Sequence, residues 1–318
     1  MDRVLVTGAG GFIGWHLVNY LKNRGYWVRG ADIKLPEFDP SCADEFLKLD
    51  LRKEKNCLKS LEDIDAVFHL AANMGGIGYI SSVFSRILYD NTTINVNMIE
   101  SIRKMGIDKC FFSSSACVYP LYRQNRPDVS GLKEHEAFPC DPDSYYGLEK
   151  IYFEKILEAY HKDYGIKVRI ARFHNVFGLN GTWRGGKEKA PAALCRKVIM
   201  ATDPGEIVIW GDGKQTRSFM FIDDCLEGFY KLMHSDYNLP MNIGSDRMIT
   251  IDELADIIIQ ISGKCIEKDY DLNAPQGVRG RNSDNSLMRK ILNWEPKIPL
   301  EKGLEITYEW IKQQINEM

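Results

Sequence analysis

The sequence predicts a doubly wound parallel α/β sheet joined to a smaller mixed α/β region. Three observations carry that prediction. A glycine-rich turn connects a buried-strand pattern at residues 3–7 to a helical pattern at 12–22. Short apolar runs and helix-period segments alternate from there to residue 171, and such alternation builds parallel strands with crossover helices. Over residues 178–189 the alternation gives way to glycines and charges.

The first strand, RVLVT at 3–7, is a short buried-strand pattern. The helix at 12–22 leads to a strand at 27–31 that ends on Asp32, which completes a βαβ unit. Further strands are expected near 46–49, 66–70 and 109–113, with helices between them that include one at about 92–104 ended by Gly106. A helix at about 145–164, ended by Gly165, precedes a sixth strand at 167–171. Later helices are expected at about 191–200, 251–261 and 304–315. The segment 219–244 is expected to return to the first domain, with Asp223 or Asp224 capping a helix over 226–233. The expected domains are 1–175 plus about 217–244, and about 176–216 plus 245–318.

With 44% hydrophobic and 27% charged residues, the chain of 318 can bury a large core. A net charge of -3 argues against a general nucleic-acid or anionic-membrane surface. No apolar run reaches the roughly 18 residues of a membrane span. Eight cysteines are scattered without a Cys-x-x-Cys pair or a Cys/His cluster at zinc spacing, and no secretory leader precedes the first strand. These features lead to the expectation of a reduced, cytoplasmic compartment and no metal.

The turn Thr7-Gly8-Ala9-Gly10-Gly11-Phe12-Ile13-Gly14 lies between a strand and a helix, where glycines allow a tight bend and close approach of a pyrophosphate to the helix N-terminus. Gly8, Gly11, Phe12, Ile13 and Gly14 are the candidate contacts of this Rossmann-type site. Asp32 is placed to accept hydrogen bonds from ribose hydroxyls, and its charge would repel a ribose phosphate, which favours NAD over NADP. Asp50 and Leu51 follow the third strand and are candidates for the adenine border; a strand-ending turn fits them equally.

Ser113-Ser114-Ser115-Ala116-Cys117-Val118-Tyr119-Pro120 follows the fifth strand, and Tyr146-Gly147-Leu148-Glu149-Lys150 opens the long helix. A tyrosine four residues before a lysine shares a helix face with it, so the ammonium can favour phenolate and the pair can act as a base. The same spacing also fits a solvated helix face. The Cys117 thiol suggests chemistry beyond hydride transfer.

The glycine turn, Leu70-Ala71-Ala72, the serine run and Tyr146/Lys150 together resemble the extended short-chain dehydrogenase/reductase family across almost the whole chain. Within it, Met74-Gly75-Gly76, Ser115-Ala116-Cys117, Arg172-Phe173-His174-Asn175, Gly185-Gly186-Lys187-Glu188-Lys189-Ala190-Pro191, Gln215-Thr216-Arg217 and the segment 278–285 resemble the motifs of the GDP-mannose 3,5-epimerases. The resemblance implies a homodimeric, NAD-dependent isomerase that converts GDP-mannose to GDP-L-galactose, with GDP-L-gulose as a C5 product. It implies that Tyr146 takes the proton of the sugar's 4-hydroxyl during oxidation at C4, helped by Lys150 and Ser115.

A ketone at C4 acidifies the hydrogens at C3 and C5, and inversion then needs one group to remove a proton and another to supply one on the opposite face. The resemblance makes Cys117 the base and Lys189 the acid, while the sequence leaves both protonation states open. It also places Gly75 and Gly76 near the hexose, Asn175, Lys197 and Arg281 on the diphosphate, and Gln215 and Arg217 near the nucleotide. Ser115, Cys117, Glu188 and Lys189 complete the expected substrate contacts. Other readings are a nucleotide-sugar epimerase such as a UDP-sugar 4-epimerase, which needs no Cys/Lys pair, and a non-catalytic dinucleotide-binding sensor, which has no use for Ser115, Tyr146 and Lys150.

Overall fold

A computed structural model describes residues 2–318. Six strands form in chain order: β1 Arg3–Thr7, β2 Trp27–Asp32, β3 Glu45–Lys48, β4 Ala66–His69, β5 Lys109–Ser115 and β6 Lys167–Phe173. A seventh, Pro240–Ile243, comes from far down the chain. The order across the sheet is Pro240–Ile243, β6, β5, β4, β1, β2, β3, and every pairing is parallel. The winding reverses between β1 and β4, which opens a crevice at the carboxyl ends of those strands. β1 is buried at Val4, Leu5 and Val6, as expected of a strand covered by helices on both faces.

β5 and β6 run two residues beyond their expected ends, to Ser115 and Phe173. The helix expected at about 92–104 begins much earlier and spans Ser85–Lys104. Its buried face includes Asp90, Asn91 and Asn95, so polar groups interrupt the apolar period by which such a helix is recognised. Helix Ile222–Met233 is capped by Phe221, which puts Asp223 and Asp224 in its first turn rather than at the N-cap. Asp224 instead accepts from the backbone N–H groups of Lys297 and Ile298, at 3.0 and 2.8 Å.

After β6 the chain builds a second layer. Helices Ala190–Met200, Ile251–Ser262 and Leu300–Asn316 bury Leu194, Val198, Leu254, Ile258, Leu304 and Ile311 in one core. Thr250 and Glu253 form a reciprocal capping box at the start of the second helix. Strand Gly205–Trp210 pairs in parallel with Ile266–Asp271, and Thr216–Ser218 lies between Met248–Thr250 and Gly280–Arg281. No helix of the described residues is long and apolar enough to cross a membrane.

Candidate active site

The turn after β1 is drawn tight: Gly8 N donates to Ala31 O at 2.8 Å, and a Cβ on Gly14 would collide with the carbonyl of Gly8. Helix Phe12–Lys22 follows with no side-chain cap, which leaves the first-turn N–H groups, Phe12 and Ile13 among them, available to an anion. Asp32 accepts from Gly10 N at 2.9 Å and from Lys34 N at 3.1 Å, which orients its carboxylate at the end of β2. Burial pushes that carboxyl up, and these backbone donors oppose the shift. A backbone cradle closed to side chains, an uncapped helix start and an oriented carboxylate fit a dinucleotide. The Asp50 carboxylate accepts from Arg52 Nε at 2.9 Å, and Arg52 Nη1 also reaches Asp90 at 2.9 Å. Leu51 is buried.

Ser115 ends β5, and its hydroxyl accepts from Cys117 N at 3.2 Å. Helix Tyr145–Tyr164 starts at the N-cap Ser144, whose hydroxyl accepts from Gly147 N at 3.1 Å. A Cβ on Gly147 would collide with the carbonyl of Cys117, so this helix start rests directly on the thiol's backbone. That contact brings Tyr146 to Cys117. Lys150 is 1% exposed, with Nζ 5.4 Å from the Tyr146 ring centroid, 4.6 Å from that of Phe112 and 3.5 Å from Glu149 Oε1. Burial pushes the Tyr146 phenol well above its usual value; Glu149 and Cys117 add to this and Ser115 opposes it. Burial and the neighbouring carboxylate, rather than the lysine, are thus the leading influences on this phenol.

Lys189 is the N-cap of helix Ala190–Met200 and reaches the cleft from the second layer. Its ammonium is pulled down by burial, against the opposing influence of Cys117 and Cys225. Lys187, two residues earlier, is occupied over the Tyr79 ring at 4.0 Å. The Cys117 thiol is pushed up by burial and by Asp143, and pulled down by Arg281. Arg281 was expected on a diphosphate, yet its Nη1 lies 3.4 Å from Cys117 Sγ, its Nε donates to Gln124 at 2.6 Å and its Nη2 pairs with Asp143. These contacts hold the guanidinium beside the thiol.

The remaining candidates ring the cleft. Gly76 N donates to Lys187 O at 2.9 Å, and a Cβ there would strike the carbonyl of Glu188, so the loop carrying Gly75 and Gly76 is clasped to the Lys189 loop. The Glu188 carboxylate, a candidate substrate contact, braces that loop through Arg196 at 3.0 Å and Gly186 N at 2.7 Å. Asn175 donates to Ser218 O at 3.0 Å and Lys197 to Val208 O at 2.5 Å. Gln215 donates to Trp210 O at 2.8 Å while its buried Oε1 has no partner. Arg217 bonds Thr216 O at 2.7 Å, and burial with the charge of Arg281 pulls it down to about 9. His174 is fully buried against Asn242 and held neutral.

Sequence reasoning missed Asp143 and Gln124, which hold Arg281, Glu149, which lies beside Lys150, and Asn91 and Asn95, which donate to Glu149. Glu149 was within reach of that reasoning, since a residue three positions after Tyr146 shares its helix face.

Known proteins agree with this geometry. Residues 4–244 match the family model described as the NAD dependent epimerase/dehydratase family. The chain is 49% identical over 316 residues to GDP-mannose 3,5-epimerase of Arabidopsis thaliana, covering 98% of this chain and 83% of that protein. Among solved structures, a UDP-glucose 4-epimerase of Thermotoga maritima with UDP-glucose superposes with a TM-score of 0.90 at 28% identity, covering 98% of this chain and 99% of that one. A Bacillus cereus UDP-glucuronic acid 4-epimerase, in complex with UDP-glucuronic acid and NAD, gives 0.84 at 28% identity, with 98% and 99% covered. With its crevice, its glycine cradle and its Ser/Tyr/Lys arrangement, the chain belongs to the NAD dependent epimerase/dehydratase family.

Proposed function

We propose that the protein epimerises GDP-mannose at C3 and C5 to GDP-L-galactose, with GDP-L-gulose as a C5 product, through a transient 4-keto sugar. The observation that carries this reading is the packing of the Tyr146 helix start on the Cys117 backbone, with the thiol near enough to influence both Tyr146 and Lys189. A plain 4-epimerase has no use for that thiol and amine.

Tyr146 removes the proton of the sugar's 4-hydroxyl, and Ser115 bonds the same oxygen and favours the phenolate. When bound, NAD supplies the hydride acceptor, a cationic ring and the later return of the hydride. The Gly8–Gly14 turn, Phe12, Ile13 and Asp32 would hold it, with Lys150 beside Tyr146. Once C4 is a ketone, Cys117 and Lys189 exchange protons with C3 and C5. Burial disfavours both thiolate and ammonium. A thiolate with an ammonium and a thiol with an amine contain the same number of protons, so the couple can act in either sense. One inversion leaves the pair in the opposite protonation order, ready to work the other way at the second carbon.

The first domain, 1–175 with about 217–244, is proposed to bind NAD, and the remainder the nucleotide sugar. A homodimer in the cytoplasm is proposed as well. Supporting the dimer, Tyr89 and Val96 on helix Ser85–Lys104 and Leu148 and Tyr152 on helix Tyr145–Tyr164 leave apolar surface exposed on two helices packed together. The decisive experiment incubates the protein with GDP-mannose in heavy water and locates deuterium by NMR. Label at C3 and C5 is expected; its absence from both carbons sinks the proposal.

A further inference from the structure

The buried carboxylate of Glu149 has no part in the chemistry above, yet it is the junction of two side-chain chains. Its Oε2 accepts from Asn95 Nδ2 at 3.1 Å, and Asn95 Oδ1 meets His69 Nε2 at 2.9 Å. His69 Nδ1 lies 2.9 Å from the hydroxyl of Thr7, which also accepts from the backbone N–H groups of Leu70 and Ala71. Only one direction satisfies every member: Thr7 donates to Nδ1, Nε2 donates to Asn95, and Asn95 donates to Glu149. Burial holds His69 down to about 3, in agreement with this neutral tautomer. The chain therefore runs from the dinucleotide turn to the carboxylate.

The second chain leads to the sugar side. Glu149 Oε1 accepts from Asn91 Nδ2 at 2.9 Å and lies 3.5 Å from Lys150 Nζ. Asn91 also clamps the backbone of Asn73, accepting from its N–H at 2.6 Å and donating to its carbonyl at 3.1 Å. Asn73 in turn accepts from the Tyr79 hydroxyl at 2.8 Å, which fixes the loop bearing Gly75 and Gly76. Every group around Glu149 is a donor pointing at it, and such a site suits an ionised carboxylate. Burial pushes the acid up while Lys150, Asn91 and Asn95 oppose that shift.

We propose that Glu149 is a positioning residue for the redox step: it fixes the Lys150 ammonium, weakens its field at Tyr146 and ties both to the loop beside the hexose. The inference rests on the epimerase reading only for what the step is used for. Tyr146 is faced by Glu149 and Lys150 from its own helix, Ser115 and Cys117 from the end of β5, Asp143 from the preceding loop, and Arg281 and Lys189 across the thiol. Among these, Glu149 is the largest charged influence against the phenolate. Phe112, at 4.6 Å, remains beside Lys150 when the carboxylate is removed.

The test follows the ultraviolet signature of Tyr146 phenolate through a pH titration of the full chain with NAD bound. Each protein is read as a difference against its own Tyr146→Phe counterpart, so no sugar is needed and the result does not depend on the substrate assignment. Glu149→Gln is expected to lower the phenolate midpoint by about one pH unit, the scale of a neighbouring-charge effect. Glu149→Asp, which withdraws the charge by one methylene, is expected to fall between Gln and wild type. An unchanged or raised midpoint in Glu149→Gln overturns the proposal, as does an unchanged one in Glu149→Asp should the Gln variant fail to fold. Failure of heavy-water exchange with GDP-mannose would leave this titration intact and count only against the epimerase reading.

Discussion

Tyr146 and Lys150 reach the cleft from one helix, whereas Cys117 and Lys189 reach it from opposite sides. The first pair is set on a rigid unit: helix Tyr145–Tyr164 lies against β5 and β6, and the Glu149 junction pins Lys150 from within. In the second pair, one partner sits at the end of a sheet strand and the other at the N-cap of a helix in the second layer. In the mechanism proposed above, oxidation at C4 would thus depend on geometry internal to one layer, and inversion on how two layers are placed. The electrostatics divide in the same way. Tyr146 works against a carboxylate on its own helix, while across the cleft Cys117 opposes the burial shift of Lys189 and Arg281 opposes that of Cys117.

Four experiments can break or sharpen that contrast. Tyr146→Phe removes the phenol on which everything later depends, and turnover is expected to fall by about 10³-fold or more, the range for a general base. Deuterium exchange at C3 and C5 should vanish with it, because no ketone forms; exchange that persists would detach the two ends from one another. Cys117→Ala is expected to cost about 10²-fold or more in exchange and epimerisation. Transient absorbance of reduced cofactor should remain in that variant, and its loss would mean that the thiol serves the redox end too.

Acid sensitivity probes the burial common to both ends. His69 and His174 are held down to about 3 from an ordinary 6.5. The unfolded chain takes up these protons near pH 6.5 and the folded chain not until about pH 3, so stability is full above that window and falls as pH drops into it. At pH 5 each imidazole should cost roughly 2 kcal/mol, read as a lower denaturant midpoint than at pH 7. Equal midpoints at the two pH values would mean that the histidines are not held neutral. Gly76→Ala is a gentler perturbation, since it parts the clasp to Glu188 without touching a reacting group. A tenfold rise in KM, with kcat reduced less, is expected in steady-state kinetics; an unchanged KM would free the hexose loop from the clasp.

Much of this architecture was legible in the sequence. The first six strands, the glycine turn and the long helix with Tyr146 and Lys150 follow from short apolar runs, glycines and caps, which are local signals. The start of helix Ser85–Lys104 was not legible, because Asp90 and Asn91 occupy inward positions where an apolar period would be sought. Strand Gly205–Trp210 escaped notice with its partner, since alternation confined to Ile207 and Ile209 is a short signal. At the site, the residue types were legible but their partners were not. The partners of Arg281, namely Asp143, Gln124 and Cys117, lie about 140 to 160 residues away in the chain. Arg196 on Glu188 is likewise a partner that no local pattern announces.

The seventh strand has a consequence for biosynthesis. Pro240–Ile243 closes the edge beside β6, and Asn242 within it accepts from the Tyr119 hydroxyl at 2.6 Å and donates to Leu132 O at 2.7 Å. As the chain emerges from the ribosome, β6 must wait for more than sixty further residues before its neighbour exists. Until then its edge is an open template for unwanted strand pairing, and the segment carrying Cys117 lacks one of its anchors. Long-range parallel closure of this kind slows folding. A nascent chain halted just short of residue 240 should therefore be the form most in need of a chaperone.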